Sequence, residues 1–248
     1  MTASRVLLVG SGPLADEVAR WLAAQGDEVL RWDGGEAAGA LAVDAVVDVT
    51  ARREEKRALL AAAERDLDPA VPVYTSAVGA CATEVAAHLA HPGRVVGFSP
   101  WQLAEMPVLE VSRPLQAEDD AQWERALAFW RARGKSVEVV DDAPGLVFPR
   151  TLAMIANEAA FALMEGVATA EDIDLAMKKG TNYPYGPLEW ADRIGLDQVL
   201  AVLEGLFREL GEDRYRPAPL LRKLVYAGWT GKAAGRGFYR YADGSSRA

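Results

Sequence analysis

The first 33 residues constrain this chain most. Arg5-Val6-Leu7-Leu8-Val9 is an almost unbroken apolar run that ends in Gly10-Ser11-Gly12-Pro13-Leu14-Ala15. A helix-like segment from Asp16 to Gln25 follows, then Gly26, then a second extended run, Glu28-Val29-Leu30-Arg31-Trp32-Asp33. Apolar runs without alternation are the form taken by strands buried on both faces, as in parallel sheets. Glycines at the turn allow a sharp passage from strand to helix, and Gly26 suits the left-handed position that closes a helix. Strand, G-x-G-x-x-A turn, helix, strand and acid in this order predict a parallel pair of strands joined by a crossover helix.

That arrangement carries chemistry as well as topology. The glycines let the backbone approach a pyrophosphate, and the first turn of the helix offers unpaired N–H groups to an anion. Asp33 stands where a ribose hydroxyl acceptor is expected, so Gly10, Gly12, Ala15 and Asp33 are candidate NAD contacts. Pro13 fits the first helical position but removes one N–H from the anion site. Only Gly34 to Val43 separate Asp33 from the next strand, Asp44-Ala45-Val46-Val47-Asp48-Val49-Thr50. This interval is too short and glycine-rich for a full helical crossover, so one β-α unit is expected to be missing. The prediction is an α/β fold: a reduced Rossmann-like, mostly parallel sheet over residues 1–143, followed by an all-α domain over 144–248.

Alternation then resumes. Arg52 to Leu67 reads as a helix, Val71 to Ser76 as a strand, Thr83 to Ala90 as a helix, and Val95 to Phe98 and Val108 to Val111 as strands. Asp119 to Arg133 is a helix whose Trp123, Leu127 and Trp130 form a core stripe, and Ser136 to Val140 closes the sheet. From Pro149 the chain turns helical. Thr151 to Glu165 is apolar nearly all round, as a buried helix is; Thr169-Ala170-Glu171-Asp172 is a capping box, with Gly180 closing its helix. Leu188 to Ile194, Leu196 to Leu210 and Pro219 to Ala227 read as further helices, Gly235 to Tyr241 as an aromatic anchor, and Gly244 to Ala248 as a frayed end.

With a net charge of −9, an extended nucleic-acid surface is not expected. No apolar run reaches membrane-spanning length, and no leader precedes the first strand, so a cytoplasmic location is expected. The single cysteine, Cys81, rules out an internal disulfide and a thiolate cluster; no metal is expected.

A series of segments carries a resemblance: Pro144-Gly145-Leu146-Val147, Asn157-Glu158-Ala159, Glu171-Asp172-Ile173-Asp174, Tyr183-Pro184-Tyr185-Gly186-Pro187, Asp192 with Gly195-Leu196-Asp197, Arg216 to Leu221, and Gly235-Arg236-Gly237-Phe238-Tyr239. In order and spacing these are similar to the C-terminal domain of 3-hydroxyacyl-CoA dehydrogenases. The nucleotide-binding half matches more loosely, through Gly10-Ser11-Gly12, Tyr74-Thr75-Ser76, Arg94 to Gly97 and Leu109-Glu110-Val111. With its shortened first domain the chain most resembles the second copy in the two-copy enzymes of phenylacetate breakdown. The resemblance implies NAD, an acyl-CoA substrate, and a homodimer formed through the helical domain.

It also implies a His–Glu pair with a nearby Ser and Asn, because oxidising a 3-hydroxyl requires a base for the proton while hydride leaves. Glu110 matches the glutamate and Ser76 the serine. The histidine's segment reads Gly97-Phe98-Ser99-Pro100; counted back twelve residues from Glu110, its place falls on Phe98. The asparagine's place is Pro149. His88 and His91 both lie at a helix end just before Pro92. Three readings stay open: a divergent dehydrogenase using Glu110, Ser76 or water; a degenerate acyl-CoA-binding or assembly module lent to a complete dehydrogenase; and an isomerase or hydratase working with a carboxylate alone.

Overall fold

The computed structural model describes residues 3–34, 42–65 and 67–241. The expected frayed end, Gly244 to Ala248, and most of the short Gly34 to Val43 interval lie outside them. The chain forms two compact units that divide between Val147 and Phe148.

The first unit runs β1 (Arg5–Val9), α1 (Pro13–Ala24), β2 (Glu28–Trp32), β3 (Ala45–Asp48), α2 (Arg53–Glu64), β4 (Val73–Ser76), α3 (Ala82–Ala86), β5 (Val95–Phe98), β6 (Val108–Ser112), α4 (Asp120–Arg131) and β7 (Ser136–Val140). Its seven-stranded sheet has the order β2-β1-β3-β4-β5-β6-β7. A full doubly wound sheet places its third strand outside the second and its fourth beside the first. Here β3 pairs directly with β1, and no strand stands outside β2 among the described residues. The sheet is thus the reduced form, with one antiparallel pair, β5 with β6.

Period-two alternation divides the buried strands between two cores. On one face Leu7, Val9, Val46, Val73 and Val95 pack against Leu59, Leu60, Ala63, Val85 and Leu89 of α2 and the α3 region. On the other, Trp130 of α4 is fully buried, with ring centroids 5.1 Å from both Tyr74 and Phe98 and 6.1 Å from Trp21 of α1. The Tyr74 hydroxyl donates to the Ala126 carbonyl at 2.9 Å, and burial pushes its pKa up. Trp123 and Leu127 are buried beside Trp130, as the stripe predicts.

Glu64, the last residue of α2, ties that helix to the chain entering β5. It accepts the Ala90 and His91 N–H groups at 2.6 and 2.9 Å and pairs with Arg94 at 3.0 Å. Burial alone would raise its pKa, but these donors pull it below its ordinary 4.5. The pKa is depressed in the fold, so the stabilisation is fully present above 4.5 and is lost as pH falls through the lower folded value. Glu64→Gln should lower the melting temperature at pH 7 and shrink its further fall in acid, read from melts across pH 3 to 7. An unchanged acid limb would refute this.

The second unit runs α5 (Phe148–Met164), α6 (Ala170–Thr181), α7 (Pro187–Ile194), α8 (Leu196–Leu210) and α9 (Pro219–Tyr226). Thr169 caps α6, its Oγ1 accepting the Asp172 N–H at 3.2 Å. The helix passes through Gly180 and closes at Asn182, whose φ of 58° supplies the left-handed residue expected of the glycine. Helix α5 is one-sided rather than buried all round. Leu152, Ala153, Ala156, Ala159 and Ala160 are buried, while Met154, Ile155, Phe161 and Leu163 are half-buried and Met164 is exposed.

Two carboxylates staple this unit. Asp174 of α6 accepts the Leu188 and Glu189 N–H groups, both at 2.8 Å, and so caps α7 from a neighbouring helix. A Cβ on Gly186 would overlap the Asp174 side chain, which accounts for glycine in Tyr185-Gly186-Pro187. Asp192 of α7 accepts the Phe238 and Tyr239 N–H groups at 2.9 and 3.0 Å and the Tyr241 hydroxyl at 3.0 Å. The aromatic terminus is thereby anchored through its backbone as much as through its rings.

Candidate cofactor and active site

Parallel α/β sheets bind ligands outside the carboxyl ends of their strands, where the strand order reverses. In this sheet that point lies between β1 and β3. Gly10, just past β1, has φ of 114° and donates to the Trp32 carbonyl at 3.1 Å. A Cβ there would lie 3.2 Å from Thr50 Oγ1 and 3.3 Å from Thr50 N, so the turn is held tight against the end of β3. Gly12, with φ of 87°, is the N-cap of α1, and nothing stands within 4 Å of where its Cβ would be. The helix end is therefore open for a ligand to approach. Ala15 is fully buried and lets α1 sit close on the sheet; Pro13 heads the helix and supplies no N–H. Asp33 is exposed one residue past β2.

The fit to a dinucleotide can be tested on these residues. The turn geometry, the open helix end and the free-standing acid suit it. Two buried hydroxyls at the same edge, Thr50 Oγ1 and Ser76 Oγ, have no hydrogen-bond partner among the described residues. Below them lies a buried ion pair. Lys56 of α2 pairs with Asp48 at the end of β3, and also donates to Thr75 Oγ1 at 3.0 Å and the Ser76 carbonyl at 2.9 Å. Burial lowers the Lys56 pKa, and Asp48 opposes that shift.

At the next edge position β5 meets β6. Phe98 pairs with Val111, and the Ser99 N–H donates to the Glu110 carbonyl at 3.0 Å. Paired residues share a face and successive residues alternate. Phe98 therefore points into the Trp130 core, and Ser99, only 7% exposed, lies on the same face as Glu110. Counting back along the sequence put the histidine's place at Phe98; the strand register puts Ser99 opposite the carboxylate. The loop between the strands is one residue out of step with the count, which is why spacing alone misled.

Glu110 is half-buried, and its Oε2 accepts the Val147 N–H at 3.0 Å. Ser76 is paired with Phe98 in register and so shares the Phe98 face, not that of Glu110. The two expected site residues thus reach the same edge of the sheet from opposite faces. His91 is exposed before β5 and donates its N–H to Glu64, while His88 lines a narrow cleft between α2 and α3 beside Arg57 and Leu60. Pro149 is buried near the start of α5. Cys81 is buried and its Sγ accepts the Glu84 N–H at 3.4 Å as the cap of α3. Sequence reading missed Ser99 and the Lys56–Asp48 pair. Counting forward from Gly97 with strict alternation would have found the first; a lysine inside a helix pattern signals nothing about burial.

Residues 145–241 match the family model described as 3-hydroxyacyl-CoA dehydrogenase, C-terminal domain. A probable 3-hydroxybutyryl-CoA dehydrogenase of Bacillus subtilis is 44% identical over 165 residues, which cover 66% of this chain and 57% of that protein. The 3-hydroxybutyryl-CoA dehydrogenase of Bradyrhizobium diazoefficiens is 39% identical over 202 residues, covering 80% of this chain and 68% of the relative. The chain belongs to the 3-hydroxyacyl-CoA dehydrogenase family. The crystal structure of (S)-3-hydroxybutyryl-CoA dehydrogenase PaaH1 from Ralstonia eutropha superposes with a TM-score of 0.76 at 30% identity, covering 98% of this chain and all of that one. Family membership accounts for the reduced Rossmann-like sheet followed by a helical domain. Among the described residues no helix is long and apolar enough to cross a membrane.

Proposed function

We propose that this chain is an NAD-linked 3-hydroxyacyl-CoA dehydrogenase whose proton-accepting group has been weakened. One observation carries the reading: the open glycine turn at Gly12, with Asp33 exposed beyond β2, stands at the same sheet edge as Glu110. Gly10, Gly12 and the first turn of α1 would hold the pyrophosphate, and Asp33 the adenosine ribose. Bound NAD would supply the hydride acceptor for C3 of an acyl-CoA. The Val147 N–H and the β6 backbone hold the Glu110 carboxylate in place. With Ser99 beside it, the hydroxyl proton passes to a carboxylate or to water. A carboxylate is a weaker base than imidazole by about two pKa units, so turnover should be slow.

Ser99 at the register position opposite Glu110 also supports the second reading, a degenerate acyl-CoA-binding or assembly module that supports a complete dehydrogenase. The exposed Met164, Val167 and Leu175 favour assembly through the helical unit, as a homodimer. The shortened nucleotide domain is the basis for placing the chain in phenylacetate breakdown. One experiment separates the two main readings. Purified protein is mixed with NADH and acetoacetyl-CoA, and loss of nicotinamide absorbance is followed. Slow turnover abolished by Glu110→Gln is the expected result. Absence of turnover, with calorimetric binding of the CoA ester but not of NADH, would replace the enzyme with the module.

A further inference from the structure

We propose that the buried Lys56–Asp48 ion pair is a positioning device that presents the Thr50 hydroxyl to a polar group of the dinucleotide at the β1–β3 crevice. The inference rests on the cofactor reading above. Lys56 and Asp48 are 1% and 0% exposed, so neither touches a ligand itself. Their bonds converge on two strand ends. Lys56 holds the Ser76 carbonyl and Thr75 Oγ1 of β4, while Asp48 Oδ1 accepts the Thr50 N–H at 3.0 Å and Oδ2 accepts the Thr75 hydroxyl at 2.7 Å. The pair thereby sets the chain leaving β3 and the chain leaving β4 from below. Thr50 Oγ1 then stands against Gly10, the first glycine of the turn, buried and without a partner among the described residues.

Two energetic points favour a role beyond stability. A buried ion pair contributes little or nothing relative to apolar residues of the same shape, because desolvation offsets the attraction. An unpartnered buried hydroxyl costs about 1–3 kcal/mol, which a hydrogen bond from a bound ligand would relieve. Both costs fall at one place, the carboxyl edge between β1 and β3. The ligand group that satisfies Thr50 Oγ1 is a hydroxyl, amide or phosphate oxygen, each of which NAD carries. The ion pair makes the direction of that hydroxyl a fixed property of the fold.

The test measures NADH affinity by nicotinamide fluorescence together with the melting temperature. Thr50→Val should hold or raise the melting temperature and weaken NADH binding by about tenfold, the worth of one good hydrogen bond. Lys56→Met with Asp48→Leu should reproduce the loss of affinity with the Thr50 hydroxyl still present, at a melting temperature near that of the parent. If that double variant does not fold, Thr75→Val, which removes one bond to each charge while keeping the side-chain shape, replaces it, with about a threefold loss expected. Unchanged affinity in Thr50→Val overturns the inference. A loss in Thr50→Val without a loss on removing the pair overturns the positioning role. A parent chain that binds no NADH overturns the cofactor reading, and this inference with it.

Discussion

Asp192→Ala should destabilise the helical unit by about 3–5 kcal/mol, because three donors aimed at one buried carboxylate lose their acceptor together. Asp192 is 1% exposed, and it is bonded to the Phe238 N–H, the Tyr239 N–H and the Tyr241 hydroxyl. Water cannot reach these groups without local opening, so the cost is that of orphaned donors, not of lost contacts alone. Domain stabilities are about 5–15 kcal/mol, so the loss is a large share of the whole. Gly237→Ala should produce the same lesion from the other side, since its Cβ would overlap the Asp192 carboxylate. Asp213→Ala, at an exposed position, is the control and should change stability by less than about 0.5 kcal/mol. Urea unfolding of the three variants checks this; an Asp192→Ala midpoint equal to that of the control would refute the staple.

Ser99→His should raise acetoacetyl-CoA-dependent NADH oxidation by about a hundredfold over the parent, the typical gain from a placed general base. Register sets an imidazole at position 99 on the face of Glu110, whose carboxylate can then fix the tautomer and stabilise the charged ring, as in other base–orienter pairs. Phe98→His is the matched contrast. Phe98 is fully buried with its ring 5.1 Å from Trp130, so the substitution trades an aromatic contact for an unpaired polar ring. It should cost about 3 kcal/mol and give no gain in rate. Initial rates and melting temperatures of both variants decide the matter. A gain in Phe98→His with none in a folded Ser99→His would show that the site lies on the other face.

These expectations mark where reading the chain residue by residue succeeds and where it stops. The βαβ start was legible because each signal is local: apolar runs, glycines at a turn and an acid after the second strand are consequences of backbone geometry within 33 residues. The missing β-α unit was legible from length alone, and the strand order confirms it. The Asp174 and Asp192 motifs were visible as patterns, but their purpose was not. Asp192 and Tyr239 are 47 residues apart, and only folding shows that one caps the other's backbone. The completeness of α5's apolar surface was overread, because composition does not say which side of a helix finds a neighbour.

Fold class, the two-part order and the candidate residues at the glycine turn were determined by sequence, since local propensity and period decide them. Which residue faces Glu110 was settled by tertiary structure, because a one-residue offset between two strands turns Phe98 into the core and Ser99 toward the carboxylate. The burial of Lys56 was settled in the same way. Its charge becomes costly, and its hydrogen bonds directional, only once α2 closes over the ends of β3 and β4.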